Sequence, residues 1–564
     1  MHECLLNLDV TIQVMEHLAE VGSVSRPGMF ITGVRSLAYM ARSCQALYEP
    51  AMAVLWHTLM DFSPLVMALP SDVYCEEITE MGDDTYGTLC LVRMPTSSEW
   101  ENILKLAARV RRVEPWSARY RNHFAVTPLS CEVLYAMNQL CISKGWHLDP
   151  ARAFFPNLRS LCWSLPGHSN EQAFLYVPHL VSQRLETVDI DASHTSTEEA
   201  VLSSVRFAFR ELVARCSSGL RRVRLDFGKG DDELSTTGNR AVASKAVNDG
   251  FFRDDVDLPR LSILDVVGAP NVQHIRCMGG YPNLQQVTLH QLHGSVTTTA
   301  LSALDSQSLF PSLERFDVKY ASVVHTTQIL NTIGSHSLKY FSIYRESYVD
   351  NHTAAHIFSL CRSLAKHDEG LEEIHLKALY RIGVADFVLQ QSLQRSHIID
   401  SNTFSPLLSL LHLRVFSYYG DLAVDLDDHF IKNLASSCPQ LEKFWLRADI
   451  PLHKRPRVTL AGLIPLADCS KLKKLSLAVD MILPAPEAFQ EELESIHTNP
   501  HTPQLEILDI HYHDSLNVTD VQGMCRLLKL LFGYPRLDCV APWTRENLDI
   551  DEPWRAFQRA FALA

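Results

Sequence analysis

A short phrase, Pro-x-Leu followed by two spaced apolar residues, recurs seven times along the 564-residue chain, as PNLRSLCW, PRLSILDV, PNLQQVTL, PSLERFDV, PQLEKFWL, PQLEILDI and PRLDCVAP. Its leucines are Leu158, Leu261, Leu284, Leu313, Leu441, Leu505 and Leu537. Six further segments carry the phrase without the proline, at Leu185, Leu220, Leu338, Leu371, Leu413 and Leu472. From 158 to 537 in twelve steps, the mean period is about 32 residues. The bare Leu-x-x-apolar-x-apolar pattern arises by chance on the order of ten times in so leucine-rich a stretch. The proline is the discriminating part. With 27 prolines in 564 residues, chance places one two positions before the leucine in fewer than one unit of thirteen. A unit of this length has an apolar face that only its neighbours bury, so the repeat commits the chain to a stacked array.

Each unit has a simple physical reading. Proline ends the preceding helix and lets an extended segment begin. In the first such segment Leu158, Leu161 and Trp163 mark buried positions, the last two alternating with their neighbours at strand period. Amphipathic helices are expected between strands, at 197–216, 425–438, 484–497 and 519–532, with Ser196 or Thr197 capping the first. The unit of one strand and one helix resembles the leucine-rich repeat. The fold class expected is α/β, with parallel strands on the concave face of a solenoid and helices on the convex face.

Bulk properties narrow the function. The net charge is −14, from 51 basic and 65 acidic residues, which argues against a general nucleic-acid binder. Fourteen cysteines form no Cys-x-x-Cys pair, and they read as small buried hydrophobes of a reducing compartment. There is no basic-then-apolar leader and no run of 18 apolar residues, so the expectation is a soluble chain, cytoplasmic and/or nuclear, with no membrane partner. Asn351-His-Thr and Asn517-Val-Thr read as accidental glycosylation triplets.

Residues 1–60 lack the repeat and read as three helices. Leu5, Leu8, Ile12, Met15 and Leu18 form one stripe, and Val34, Leu37, Met40, Ala41 and Cys44 a second after the Val21–Gly33 stretch. A third runs from Pro50, in its first turn, through Leu55, Trp56 and Leu59. Residues 61–155 form a helical linker, with Trp100, Trp116 and Trp146 suited to core packing. The array follows at 156–545, interrupted by a polar insertion at about 228–257, and 546–564 form a terminal cap.

The segment CLLNLDVTIQVMEHLAEV … SLAYMARSCQALYEPAMAVLWHTL resembles the F-box of large fungal F-box proteins. The likeness rests on Leu6, Leu8, Ile12, Met15, Leu18, Leu37, Ala41, Cys44, Leu47, Pro50, Leu55 and Trp56, and above all on Tyr48-Glu-Pro-Ala-x-x-x-Leu-Trp. The family usually opens Leu-Pro, where this chain has Leu6-Asn7-Leu8. The resemblance implies that those twelve residues bind a Skp-type adaptor joined to a cullin scaffold. It also implies that the repeats select a protein target. The alternative reading is a plain repeat scaffold whose first helices only cap the solenoid.

Motifs for chemistry are few. Gly228-Lys-Gly230 runs into Asp231-Asp232-Glu233, which would repel phosphate. His511-Tyr-His513 lacks further zinc ligands, and Asp425-Leu-Asp427-Asp428 suits a helix start. No catalytic, metal or cofactor site is expected. Recognition is instead assigned to residues alternating out of the strands: Asp189, Asp191, Arg224, Asp226 and Asp265 early, then Thr288, His290, Asp317, Lys319, Ser342, Tyr344, His375, Lys377, Ser417, Tyr419, Trp445, Arg447, Ser476, Asp509 and His511. Of these, Asp317, Lys319, Tyr344, Lys377, Tyr419, Trp445 and Arg447 are the target-binding candidates, since aromatics and arginine anchor partners.

Overall fold

A computed structural model describes residues 8–21, 27–81, 84–113, 129–149, 151–164, 173–191, 199–226, 248–253, 255–267, 270–290, 308–345, 353–378, 398–420, 422–448, 455–480, 505–511, 521–533, 536–537, 559 and 561. The chain divides into two compact units, Met1–Cys277 and Met278–Ala564. Each is built on a parallel strand ladder, so the class is α/β.

In the first unit three helices, α1 (Leu8–Val21), α2 (Pro27–Ser43) and α3 (Gln45–Leu55), pack on Met15, Leu37, Ala41 and Ala51. Two boundaries differ from expectation. Helix α2 begins at Pro27, within the stretch read as a connector, because proline's fixed φ suits a first helical position. Helix α3 begins at Gln45, with the extended Cys44 as its N-cap, so Pro50 lies inside the helix rather than in its first turn.

The ladder of this unit is β1 (Thr58–Leu59), β2 (Arg112–Val113), β3 (Ser160–Ser164), β4 (Thr187–Asp191), β5 (Arg222–Asp226) and β6 (Ile263–Val267), each parallel to the next. It therefore starts about a hundred residues before the first recognised repeat. Register explains why: Leu59 pairs with Val113 and Val113 with Leu161. Trp56 and Val110 consequently occupy the position that Leu158 holds, and Val110 is fully buried. The site demands a bulky apolar residue, not leucine, and a leucine pattern passes over both. The expected linker at 61–155 thus contains repeats, together with a hairpin of Tyr74–Met81 and Asp84–Leu91 and helices Ser97–Ala107 and Cys131–Ser143.

Those helices obey their local signals. Thr96 and Glu99 form a capping box, Ser130 caps the second helix, and Gly145 follows it at φ 71°, a backbone conformation that favours glycine. Trp100 packs edge-on against Phe154, as a core residue should. Trp146 is instead half-exposed, while Trp116 lies outside the described residues. Most of the insertion at 228–257 also lies outside them, but its end belongs to the core: Asn248, Phe251 and Phe252 are buried, and Asp249 holds His274 Nε2 at 2.9 Å.

The second unit's ladder is β7 (Gln286–His290), β8 (Arg315–Lys319), β9 (Tyr340–Arg345), β10 (Glu373–Ala378), β11 (Val415–Gly420), β12 (Lys443–Ala448), β13 (Lys474–Ala478), β14 (Ile507–His511) and β15 (Arg536–Leu537), again all parallel. One face is apolar and fully covered, with Phe316, Phe341, Ile374, Phe416, Phe444, Leu475 and Leu508 in one row. Helices Val323–Thr332, Ala354–Leu364, Asp428–Ser437 and Val521–Phe532 fill the connections. The expected helix at 484–497 falls outside the described residues. The last repeat is displaced: Leu508 pairs with Leu537, so Leu537 fills the second apolar position rather than the first. Asp427 caps its helix by accepting from Phe430 N–H at 2.9 Å, the role assigned to that acidic run.

Burial tunes the cysteines. Cys216 and Cys438 sit fully buried at helix ends, each thiol donating to a carbonyl of the preceding repeat, Ser182 O at 3.4 Å and Leu410 O at 3.5 Å. Burial pushes both thiols up to about 12. Such thiols are packing groups, not nucleophiles.

Candidate functional site

On the three-helix module the structure separates interior from surface. Met15, Leu37, Ala41 and Pro50, all candidate adaptor contacts, are buried in the module's own core, so they shape its surface without forming it. Leu47 and Leu55 are partly buried against the same core, Ile12 and Cys44 are half-buried, and Leu8 and Leu18 belong to α1. Leu6 lies outside the described residues. Trp56 caps the end of α3, its N–H donating to Met52 O at 3.1 Å, and it begins the first repeat. The apolar groups that face solvent are others: Val10, Val14, Tyr39 and Tyr48, with Tyr39 68% exposed. A periodicity reading selects the core stripe by construction, so it passes over these exposed groups.

On the second unit's ladder, parallel in-register pairing brings distant candidates together. Lys319 pairs with Tyr344, Tyr344 with Lys377, Lys377 with Tyr419 and Tyr419 with Arg447. Five of the seven target-binding candidates thus form one straight row across β8 to β12, cation and aromatic alternating. The Arg447 guanidinium lies 5.4 Å from the Tyr419 ring centroid. At the far end Tyr320, held at φ 53°, packs 6.0 Å from Tyr344 and 6.4 Å from His290. A left-handed tyrosine costs on the order of 1–3 kcal/mol, a strain often kept at functional sites.

Trp445 lies one row inward, between Ser417 and Ser476, with the Lys443 ammonium 5.5 Å from its ring. Asp317 corrects its assignment. It is buried, accepts from Arg315 Nε and from the Ser342 hydroxyl, both at 2.6 Å, and is therefore an internal anchor rather than a partner contact. Sequence reasoning also missed a third row on this face. Arg315, Tyr340, Glu373, Lys443 and Lys474 share the strand parity of the other two rows but stand one step nearer the turn. Arg315 stacks on Tyr340 at 3.7 Å, and the Tyr340 ring lies 5.2 Å from His375. His375 in turn meets the Ser417 hydroxyl at 2.6 Å.

The electrostatics of this face are positive. Burial lowers the Lys443 pKa, and the charges of Lys377 and Lys474 lower it further. Burial likewise lowers that of His375, against its contact with Glu373 and with Lys377 and Lys443 adding to the effect. Among the described residues no carboxylate lies within ion-pair distance of Lys319, Lys377, Lys443, Lys474 or Arg447. One residue from the apolar face, at the rim, the opposite holds: Lys339 meets Glu314 at 3.3 Å, and Arg414 meets Glu372 at 3.0 Å and Glu442 at 2.6 Å.

In the first unit the one outward cation among these candidates is paired, Arg224 standing 3.7 Å from both Asp189 and Asp265. No group of three or more metal-ligating side chains converges among the described residues. No helix among them is long and apolar enough to cross a membrane. Compared with protein-family models and with curated proteins, the chain gives no match.

Proposed function

We propose that the chain is the target-recognition subunit of a Skp–cullin–F-box type ubiquitin ligase. The observation that carries this reading is the order of parts: a three-helix module with solvent-facing Val10, Val14, Tyr39 and Tyr48 leads directly into the first unit's parallel ladder, and the second unit's ladder, later in the chain, bears a row of alternating cations and aromatics. The module would hold the Skp-type adaptor, and through it the cullin, while the ladder holds a target protein. Catalysis belongs to the assembly, and the chain contributes proximity by raising the effective concentration of target lysines near the transferring enzyme.

Co-expression with a Skp-type adaptor tests this. The full chain is expected to co-elute with the adaptor. Val14→Asp with Tyr39→Asp should weaken that complex at least tenfold without lowering the melting temperature, since both side chains are exposed. Failure of the unaltered chain to co-elute overturns the reading. The scaffold alternative draws on one contact, the 2.7 Å pair of Glu49 on α3 with Arg109, which ties the module to the residues that follow.

A further inference from the structure

We infer that the row Lys319, Tyr344, Lys377, Tyr419 and Arg447 is a docking track for an extended acidic protein segment carrying a carboxylate at every third residue. This rests on reading the ladder as the target-binding part, and it names the class of target.

Spacing carries the argument. Neighbouring strands lie about 4.8 Å apart, so the three cations, two strands from one another, recur at about 9.6 Å. A segment in polyproline II conformation repeats one face every three residues, or about 9.3 Å. An extended β-strand presents alternate side chains at about 6.7 Å and falls out of step after one pair. The tyrosines between the cations then lie opposite the intervening residues, and aromatic troughs of this kind receive polyproline II ligands.

Charge selects the carboxylate. The chain carries −14 overall, yet these cations have no acidic partner among the described residues, whereas those at the rim are paired. A long polyanion such as RNA would extend past the row over a chain of net charge −14, while a short segment senses the row within a Debye length of about 8 Å. Phosphate readers rely on clustered arginines with free forks. Here two of the three cations are lysines, Arg447 is engaged with Tyr419, and Arg315 in the next row is taken by Asp317.

The experiment is fluorescence anisotropy on the full chain with labelled peptides of one length. Glu-Pro-Pro repeats should bind at least tenfold more tightly than Gln-Pro-Pro repeats and than a peptide with the same glutamates clustered. Lys377→Glu should abolish the preference. Lys319→Glu and Arg447→Gln, on other strands, serve if that variant unfolds by circular dichroism. Equal binding of the Gln or the clustered peptide, or unchanged affinity in all three variants, overturns the inference. So does tenfold tighter binding of a phosphoserine peptide or of an RNA of equal charge. Adaptor co-elution of the unaltered chain separates the two claims. Adaptor binding without a preference for the Glu-Pro-Pro peptide removes only the track, and the peptide preference without adaptor binding removes only the ligase reading.

Discussion

His367 is a residue at which burial and pH meet. It sits almost covered in the turn between Ala354–Leu364 and β10, with Nδ1 3.2 Å from the Ser335 carbonyl, so the neutral ring donates there. Burial lowers its pKa from an ordinary 6.5, with the charges of Lys366 and His336 acting the same way. The native state therefore favours the neutral ring. As pH falls through about 6.5 the unfolded chain takes up its proton first, and native stability declines toward the folded value. The urea midpoint is expected to drop between about pH 6.5 and pH 5, and to drop less in His367→Gln. A flat midpoint in the unaltered chain would contradict this. Nothing in the sequence flags His367, because its environment is made by carbonyls that only the folded turn gathers.

At the scale of elements, the repeat is specified twice. The carbonyl one residue after the first apolar position accepts two N–H groups from the next unit: Glu314 O takes Lys339 and Tyr340, Lys339 O takes Glu372 and Glu373, and Glu372 O takes Arg414 and Val415. The side chains at these positions alternate in sign, Glu314, Lys339, Glu372, Arg414, Glu442, Lys473 and Glu506. Glu442 touches both Arg414 and Lys473, and its carboxyl is held below the ordinary range chiefly by the Arg414 hydrogen bond. Partly exposed pairs contribute about 0.2–1 kcal/mol each. Glu442→Lys should therefore cost about 0.5–2 kcal/mol by urea denaturation, and adding Arg414→Glu should restore only part of it, because position 414 also faces Glu372 and position 442 also faces Lys473. The strands after Leu158 through Leu505 were legible in the sequence, because one leucine sets the phase of each. The shift at Leu537 and the two early repeats were not, because at Leu537 the leucine fills the second position and in the early repeats Trp56 and Val110 set the phase. The face was half legible. Strand parity located two rows, but their alignment into one track depends on register, which no single unit encodes.

For the whole molecule, the place where a truncation is cut decides what it tests. Removing residues 1–60 takes β1 with the module and bares the edge of β2, so aggregation would follow on either functional reading. Removing residues 1–43 leaves α3 and β1 in place. The cut bares the α3 face around Ala51 on either reading, so binding rather than solubility discriminates: on the ligase reading the cut chain loses the adaptor and keeps its peptide affinity, whereas on the scaffold reading the unaltered chain has no adaptor to lose. Adaptor co-elution of both chains distinguishes the two. The same junction has a mechanical meaning. Helix α3 ends at Leu55 and β1 starts at Thr58, so no free linker separates the helical module from the first rung. An α-helix turns about 100° per residue. On the ligase reading, one residue inserted at this wrist would swing the first rungs to a new bearing while leaving the residues of both proposed surfaces untouched, and a target held as proposed could then present its lysines out of the transferring enzyme's reach.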